Sequence, residues 1–276
     1  MLLRKSQSVT CFRFGRHART SSLMTLRSAT TSSCSTSAPE TAATRHVTIR
    51  DARRADARFL SQVMLQASRS HLDKGVYDIY FPTFSDDERL ALLADMADCS
   101  PDAGSVCCWD GFLVAEVNGT PAAALAGYGS DTKSTQGYLD TMWDALKRRG
   151  WTRDQFERML EKREAIDSVT TKDSRRLWVV DWVTTLPEFR KLGLISKLLH
   201  LILQRGKERG YKLAEVSVFL GNDPAILAYK KKGFEEYQSI ASPVWQRVIN
   251  CPGIMRLIKP LNDNDPGAAP TQPSAE

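Results

Sequence analysis

Apolar positions in the first part of the chain recur first with the period of a strand and then with that of helices. Residues 46–51 alternate and predict a strand, and 53–68 carry apolar residues at helical spacing. The aromatic-rich stretch 70–85 is expected to be a loop. Ser85 is a suitable N-cap for a helix over 86–98, whose first turn is acidic.

A β-hairpin is predicted next. Residues 111–117 and 121–128 are apolar runs, and Asn118-Gly119 between them is the dipeptide preferred in a two-residue hairpin turn.

Residues 131–172 have a different, polar and helix-favouring pattern. They predict two helices, 138–149 and 153–165, the second opened by a capping box between Thr152 and Gln155. This stretch therefore reads as a helical insertion.

The second half alternates strands with helices. We expect strands at 177–184, 214–220, 244–250 and 253–259, and helices at 194–209 and 224–232. The order of elements predicts a mixed α/β fold.

Length and composition agree with one main domain. The 276 residues are 42% hydrophobic and 25% charged, enough to bury a sizeable core. No apolar run reaches the roughly 18 residues of a membrane-spanning helix, so an integral membrane protein is not expected.

The net charge of +6 comes from the N-terminal segment. Residues 1–46 hold seven Lys or Arg and one acid, so the other 230 residues carry no net charge and predict no nucleic-acid-binding face. Segment 1–45 is basic, Ser/Thr-rich and acid-poor, which is typical of a mitochondrial presequence. Alternatively, this segment is a disordered tail, or the protein truly starts at Met24. The alternative location is the cytoplasm. The tail 263–276 is expected to be disordered.

The six cysteines predict neither a disulfide scaffold nor a metal site. The chain has no C-x-x-C and no His pair at metal-ligand spacing, so we expect reduced, structural cysteines and no metal.

A strand-to-helix turn at 187–195 is the first candidate for chemistry. The start of a helix presents unpaired amides and a positive dipole end to an anion such as a phosphate. Gly193 lacks the Cβ that would block close approach, and Arg190 and Lys191 add positive charge. A plain connection is the alternative.

Two motifs resemble the GNAT superfamily of acyl-CoA N-acyltransferases. The P-x-x-R-x-x-G signature is matched by Pro187, Arg190 and Gly193. The N-x-x-A-x-x-x-Y-x-K-x-G-F segment is matched by Asn222, Ala225, Tyr229, Lys231, Gly233 and Phe234. The resemblance covers a domain of about residues 46–262, apart from the insertion. It departs where Ile195 stands in place of the family's second Gly or Ala.

The resemblance implies a mixed, splayed central sheet flanked by helices, open between its fourth and fifth strands, with acetyl-CoA lying in the gap. The residues implied to contact the coenzyme are Val183, Thr184, Thr185, Arg190, Lys191, Leu192, Gly193, Leu194, Ile195, Ser196, Asn222 and Tyr229.

Two residues carry the implied catalysis. Asp181, mid-strand, is the candidate base for the attacking amine; it could instead face solvent or pair with an Arg. Tyr229 is the implied donor to the coenzyme sulfur, or else a core residue. Asn222 either contacts the coenzyme arm or caps the helix that follows it.

The resemblance therefore implies an acetyl-CoA-dependent N-acetyltransferase with an unknown amine acceptor and no nucleic-acid or membrane partner. The alternatives to an enzyme are a non-catalytic acyl-CoA-binding module and a protein that keeps only the fold. Possible acceptor contacts are His71, Asp73, Tyr77, Asp78 and Tyr80, although Tyr77 and Tyr80 could simply pack. The insertion could be a lid, a dimer contact or a packed decoration.

Overall fold

The computed structural model describes residues 45–167 and 175–261. The predictions for the N-terminal segment, the end of the insertion and the C-terminal tail fall almost entirely outside these residues. Within them the elements, in chain order, are β1 Val47–Asp51, α1 Ala57–Arg69, α2 Val76–Tyr80, α3 Asp86–Ala97, β2 Phe112–Val117, β3 Thr120–Gly129, α4 Thr135–Lys147, α5 Arg153–Asp167, β4 Trp178–Thr185, α6 Leu194–Glu208, β5 Leu213–Phe219, α7 Asp223–Lys230, β6 Glu235–Ala241, α8 Pro243–Val248 and β7 Gly253–Pro260.

The strands form a single mixed sheet in the order β1-β2-β3-β4-β5-β7-β6. Only the β4–β5 pair is parallel among these neighbours. The expected mixed α/β class is confirmed, with α4 and α5 inserted between the third and fourth strands.

The sheet opens between β4 and β5. Pairing runs only from Trp178 with Ala214 to Val180 with Val216, although β4 continues to Thr185. On its other edge β4 stays paired with β3 as far as Thr185. The far end of β4 thus presents one unpaired backbone edge to the opening, as the splayed sheet requires.

The hydrophobic core lies on both faces of the sheet. Side chains alternate between faces along a strand, so Phe112 and Val114 of β2 pack with α1 to α5 and α8, whereas Leu113 and Ala115 pack with α6 and α7. Covering both faces buries the sheet between two helical layers.

Local sequence signals are confirmed where they depend on short-range hydrogen bonds. The Ser85 side chain accepts from the Glu88 amide at the start of α3. Thr152 and Gln155 form their reciprocal capping box. Asn118 and Gly119 both take positive φ, 51° and 79°, in the hairpin turn.

Two expectations need correction. The stretch 70–85 contains α2, which buries Tyr77, so it is not wholly a loop. The strand expected at 244–250 is wrong: Ser242 caps α8, with Pro243 in its first turn. The edge strand that pairs with β7 on the side away from β5 is β6. Because β6 is an edge strand with mostly exposed side chains, it lacks the apolar alternation that reveals a strand.

No helix in the described ranges is long and apolar enough to cross a membrane.

Candidate active site

A cleft of about 750 Å³ begins where β4 separates from β5. The predicted contact residues Val183, Thr184 and Thr185 line it from β4, and Asn222 and Tyr229 line it from the region of α7. The cleft thus brings together residues that lie more than thirty-five positions apart in the chain.

Asp181 lies in the wall of this cleft. Its Oδ2 accepts a hydrogen bond from the Tyr128 hydroxyl at 3.1 Å, and its Oδ1 accepts from the Trp182 amide at 2.8 Å. Burial raises the pKa of Asp181 above its ordinary value of 3.8, and the two hydrogen bonds oppose that rise. A carboxyl with a raised pKa is better matched to proton exchange near neutral pH.

Trp182 forms a bulge in β4. Its φ is +54°, and one extra residue stands on β4 relative to β3 between Asp181 and Thr184. Left-handed backbone is costly for a bulky side chain, and the bond from its amide to Asp181 helps to hold it. The indole stacks on Tyr77 with 6.1 Å between ring centroids. Sequence analysis missed this residue, because a near-continuous apolar strand gives no sign of a bulge.

Tyr229 lines the cleft from α7 and is 6% exposed. Its ring meets Phe234 edge to face at 5.7 Å. Burial, with a further contribution from the charge of Asp181, raises the pKa of Tyr229 above 10.0. Its hydroxyl therefore stays protonated at neutral pH, which is the state a proton donor requires.

Of the coenzyme contacts predicted around the start of α6, Arg190 lines the cleft. The other six do not line it: Lys191, Leu192, Gly193, Leu194, Ile195 and Ser196. The Arg190 amide already donates to the Pro187 carbonyl, so it is not open to a ligand. The first bond of the helix runs from the Lys197 amide to the Gly193 carbonyl. The amides of Leu194 to Ser196 thus lie in the first turn, where no intrahelical partner exists.

Gly193 owes its place in this turn to its backbone conformation. Its φ is +69°, and a Cβ built there would meet nothing within 4 Å. The space beside the helix start is therefore open. Ile195, the departure from the family motif, turns its side chain onto the core.

Asn222 performs the capping role. Its Oδ1 accepts from the Ala225 amide at the start of α7, and its Nδ2 donates to the Ser70 hydroxyl at 2.8 Å. Contact between Asn222 and the coenzyme stays a prediction.

The Thr184 hydroxyl donates a hydrogen bond to the Val63 carbonyl, so the Thr184 side chain connects β4 to α1.

Comparison with known proteins agrees with this geometry. The model of the acetyltransferase (GNAT) family matches residues 74–234. The chain belongs to the GNAT family. A curated relative, an uncharacterised N-acetyltransferase named MJ1207 from Methanocaldococcus jannaschii, is 26% identical over 140 residues, which are 51% of this chain and 45% of that protein. The match thus spans under half of the relative's length.

Solved structures of acetyltransferases share the GNAT fold. The crystal structure of one acetyltransferase matches this chain with a TM-score of 0.56 and 19% sequence identity. The match covers 78% of this chain and all of that one. An N-acetyltransferase from Staphylococcus aureus Mu50 has a TM-score of 0.54 and 17% identity, over 76% of this chain and 99% of its own.

The residues suggested for the acceptor are separated by the structure. Tyr80 lines the cleft. Tyr77 is fully buried behind it, and Asp78 is held by Arg69 in an ion pair of 2.8 Å. His71 and Asp73 are exposed and do not line the cleft.

The inserted helices α4 and α5 are a packed part of the domain. Met142, Phe156 and Met159 are buried in the core, and Trp151 packs against Phe81 and Phe84. Thr135 and Tyr138 of α4, with Arg163 and Ile166 of α5, line the cleft. The insertion therefore forms one wall of the site.

No group of three or more His, Cys, Asp or Glu that could hold a metal occurs among the described residues. The four cysteines of that part of the chain, Cys99, Cys107, Cys108 and Cys251, are free thiols.

Proposed function

We propose that this GNAT protein is an acetyl-CoA-dependent N-acetyltransferase that moves the acetyl group to a primary amine by direct attack on the thioester. One observation carries the proposal: Asp181 and Tyr229 lie in the same cleft as the unpaired edge of β4.

On the donor side, the pantetheine arm of the coenzyme is proposed to pair with the backbone of 183–185 as an added strand would. The pyrophosphate is proposed to meet the amides of 194–196 at the start of α6, beside the open space at Gly193. The side chains of Arg190 and Lys191, both exposed, supply positive charge at this end.

On the acceptor side, an alkyl amine has a pKa of about 10.4 and arrives mostly protonated. Asp181 takes a proton from the ammonium, and the neutral amine attacks the thioester carbonyl. A backbone amide of β4 stabilises the oxyanion of the tetrahedral intermediate. As the C–S bond breaks, the nitrogen loses its second proton to solvent and becomes the amide nitrogen. Tyr229 donates a proton to the departing thiolate and is reprotonated from solvent, and Asp181 releases its proton to solvent.

The first experiment is thermal unfolding of the full chain with and without acetyl-CoA. Ligand at about 100 times its Kd adds roughly 2.7 kcal/mol of stability. For a domain of this size that moves Tm by about 5 °C or more. No shift at millimolar acetyl-CoA would contradict the proposal.

Turnover is then measured as release of the free coenzyme A thiol with a panel of amines. Binding without turnover across the panel would favour a non-catalytic acyl-CoA-binding module. The double variant Arg190→Ala with Gly193→Pro should weaken acetyl-CoA binding. An unchanged affinity would refute the assignment of the pyrophosphate site.

A further inference from the structure

Aromatic side chains line the cleft that contains Asp181. We define the aromatic wall as Tyr80, Tyr128, Tyr138 and Trp182, all of which line the cleft. The Tyr128 hydroxyl bonds Asp181, and Trp182 follows Asp181 directly in the chain. Two of the four wall residues thus adjoin the carboxylate to which the proposed function assigns the amine, and the other two line the same cleft.

A buried tyrosine behind the wall keeps it rigid. Tyr77 stacks on Trp182, meets Tyr80 edge to face at 6.1 Å, and accepts a hydrogen bond from the Tyr138 hydroxyl at 3.2 Å. Three of the four rings therefore rest on one fully buried residue. A wall held in this way offers a preformed apolar surface.

The insertion contributes a fixed part of this surface. Tyr138 comes from α4 and Ile166 from α5, and both are buried. The indole nitrogen of Trp245 in α8 donates to the Ile166 carbonyl at 2.6 Å, which ties the end of α5 to the body. Packing of this kind does not fit a loose lid.

The charges around the cleft do not favour a second cation on the acceptor. Asp181 is the one carboxylate among the described lining residues. The lining cation Arg69 is engaged by Asp78 and Asp86, and Arg163 lies over the ring of Tyr138 at 5.6 Å. One carboxylate with aromatic and branched apolar neighbours suits one ammonium on an apolar substituent.

We propose, on the basis of the proposed function, that the acceptor is a small primary amine with an aromatic or branched apolar substituent, selected by the inserted helices through Tyr138 and Ile166. The ammonium lies at Asp181 and the substituent packs on the aromatic wall. A volume of about 750 Å³ must hold both the coenzyme arm and the acceptor. It therefore favours a small molecule over a peptide segment.

The test compares matched amines in the thiol-release assay with the full chain and saturating acetyl-CoA. We expect kcat/KM for 2-phenylethylamine and 3-methylbutylamine to exceed that for 1,4-diaminobutane and for a lysine-containing peptide by at least about tenfold, because the apolar substituents gain burial. If the diamine or the peptide is used as well or better, the acceptor class is wrong although the proposed function stands.

Binding separates the remaining outcomes. If acetyl-CoA shifts Tm but no amine is turned over, the proposed function fails and no acceptor exists. Calorimetric titration of 2-phenylethylamine then tests the amine site alone, and absence of binding overturns that site as well. If acetyl-CoA neither binds nor reacts, both this proposal and the proposed function fail.

Variants test the role of the insertion. Tyr138→Ala should raise KM for 2-phenylethylamine at least about tenfold without changing the Kd of acetyl-CoA. Tyr138→Phe keeps the ring but removes the hydrogen bond to Tyr77, so it should raise KM less than Tyr138→Ala does. The matched control Tyr237→Ala removes an exposed tyrosine of β6 that lies outside the cleft.

Tyr138→Leu keeps the side chain apolar if the alanine variant does not fold. It should lower the ratio of kcat/KM for 2-phenylethylamine over 3-methylbutylamine, a ratio that does not depend on the folded fraction. An unchanged ratio would exclude Tyr138 as a selecting residue.

Discussion

Replacing Asp181 by Asn removes the proposed base and keeps most of its geometry. An amide oxygen at this position can still accept from the Trp182 amide, as Oδ1 does now at 2.8 Å. The variant cannot take a proton from a bound ammonium, so the amine must arrive already neutral. Asp181→Asn therefore separates proton transfer from support of the bulge.

The expected loss follows from the protonation of the amine. With a pKa of about 10.4, a fraction on the order of 10⁻³ of an alkyl amine is neutral at pH 7. The variant should therefore lose roughly 10³ in kcat/KM at pH 7, within the range of about 10²–10⁴ usual for general base catalysis. The deficit should shrink about tenfold for each pH unit above 7, because the neutral amine becomes more abundant.

The assay is the pH profile of kcat/KM for both proteins by thiol release. The wild type should lose activity as pH falls through the raised pKa of Asp181, above the ordinary value of 3.8. A deficit that stays constant between pH 7 and pH 9 would refute the base role and leave Asp181 as a positioning residue for Trp182. Asp181→Ala also removes the hydrogen bond from the Trp182 amide. Its free energy of unfolding should therefore be about 1 kcal/mol lower than that of Asp181→Asn.

Stability gives an independent check on the same residue. The native state of the wild type keeps the Asp181 proton between pH 3.8 and its raised pKa, where the unfolded state has lost it. The free energy of unfolding therefore falls as pH rises through that window. Asp181→Asn should lack this fall and gain stability relative to the wild type as pH rises from 3.8 through the raised pKa of Asp181, as measured by urea unfolding.

Further predictions concern the donor, the core, a helix cap and the N-terminal segment. Tyr229→Phe should lower kcat by about a hundredfold and leave the Kd of acetyl-CoA unchanged; an unaltered kcat would exclude proton donation by its hydroxyl. Gly206→Ala places a Cβ 2.5 Å from the Trp178 ring, so overpacking of about 1–3 kcal/mol should outweigh the gain of about 1 kcal/mol in helix propensity; urea unfolding that showed a more stable variant would contradict this packing. Ser85→Ala removes the cap of α3 and should cost about 1 kcal/mol in the same unfolding experiment, with no change in kcat. We propose that residues 1–45 are a mitochondrial presequence, so their fusion to a fluorescent protein should accumulate in mitochondria; a diffuse cytosolic signal would contradict that.

Much of the fold and part of the site could be predicted where short-range interactions decide the outcome. The cap at Ser85, the hairpin turn at Asn118-Gly119 and the capping box at Thr152 each depend on a few neighbouring residues. The same holds for the two motifs around Arg190 and Tyr229, because their spacing lies within single strand–helix units. Strand β6 escaped prediction because an exposed edge strand does not carry the apolar period of a buried one.

The sequence by itself determined the fold class, the family motifs and Asp181 and Tyr229 as candidates, because their signals are local or carried by motif spacing. Only the tertiary structure decided that β4 leaves β5 after three residue pairs, that Trp182 forms a bulge stacked on Tyr77, and that the inserted helices wall the cleft. Each of these joins residues far apart in the chain. The burial that raises the pKa of Asp181 likewise exists only once those segments are packed together.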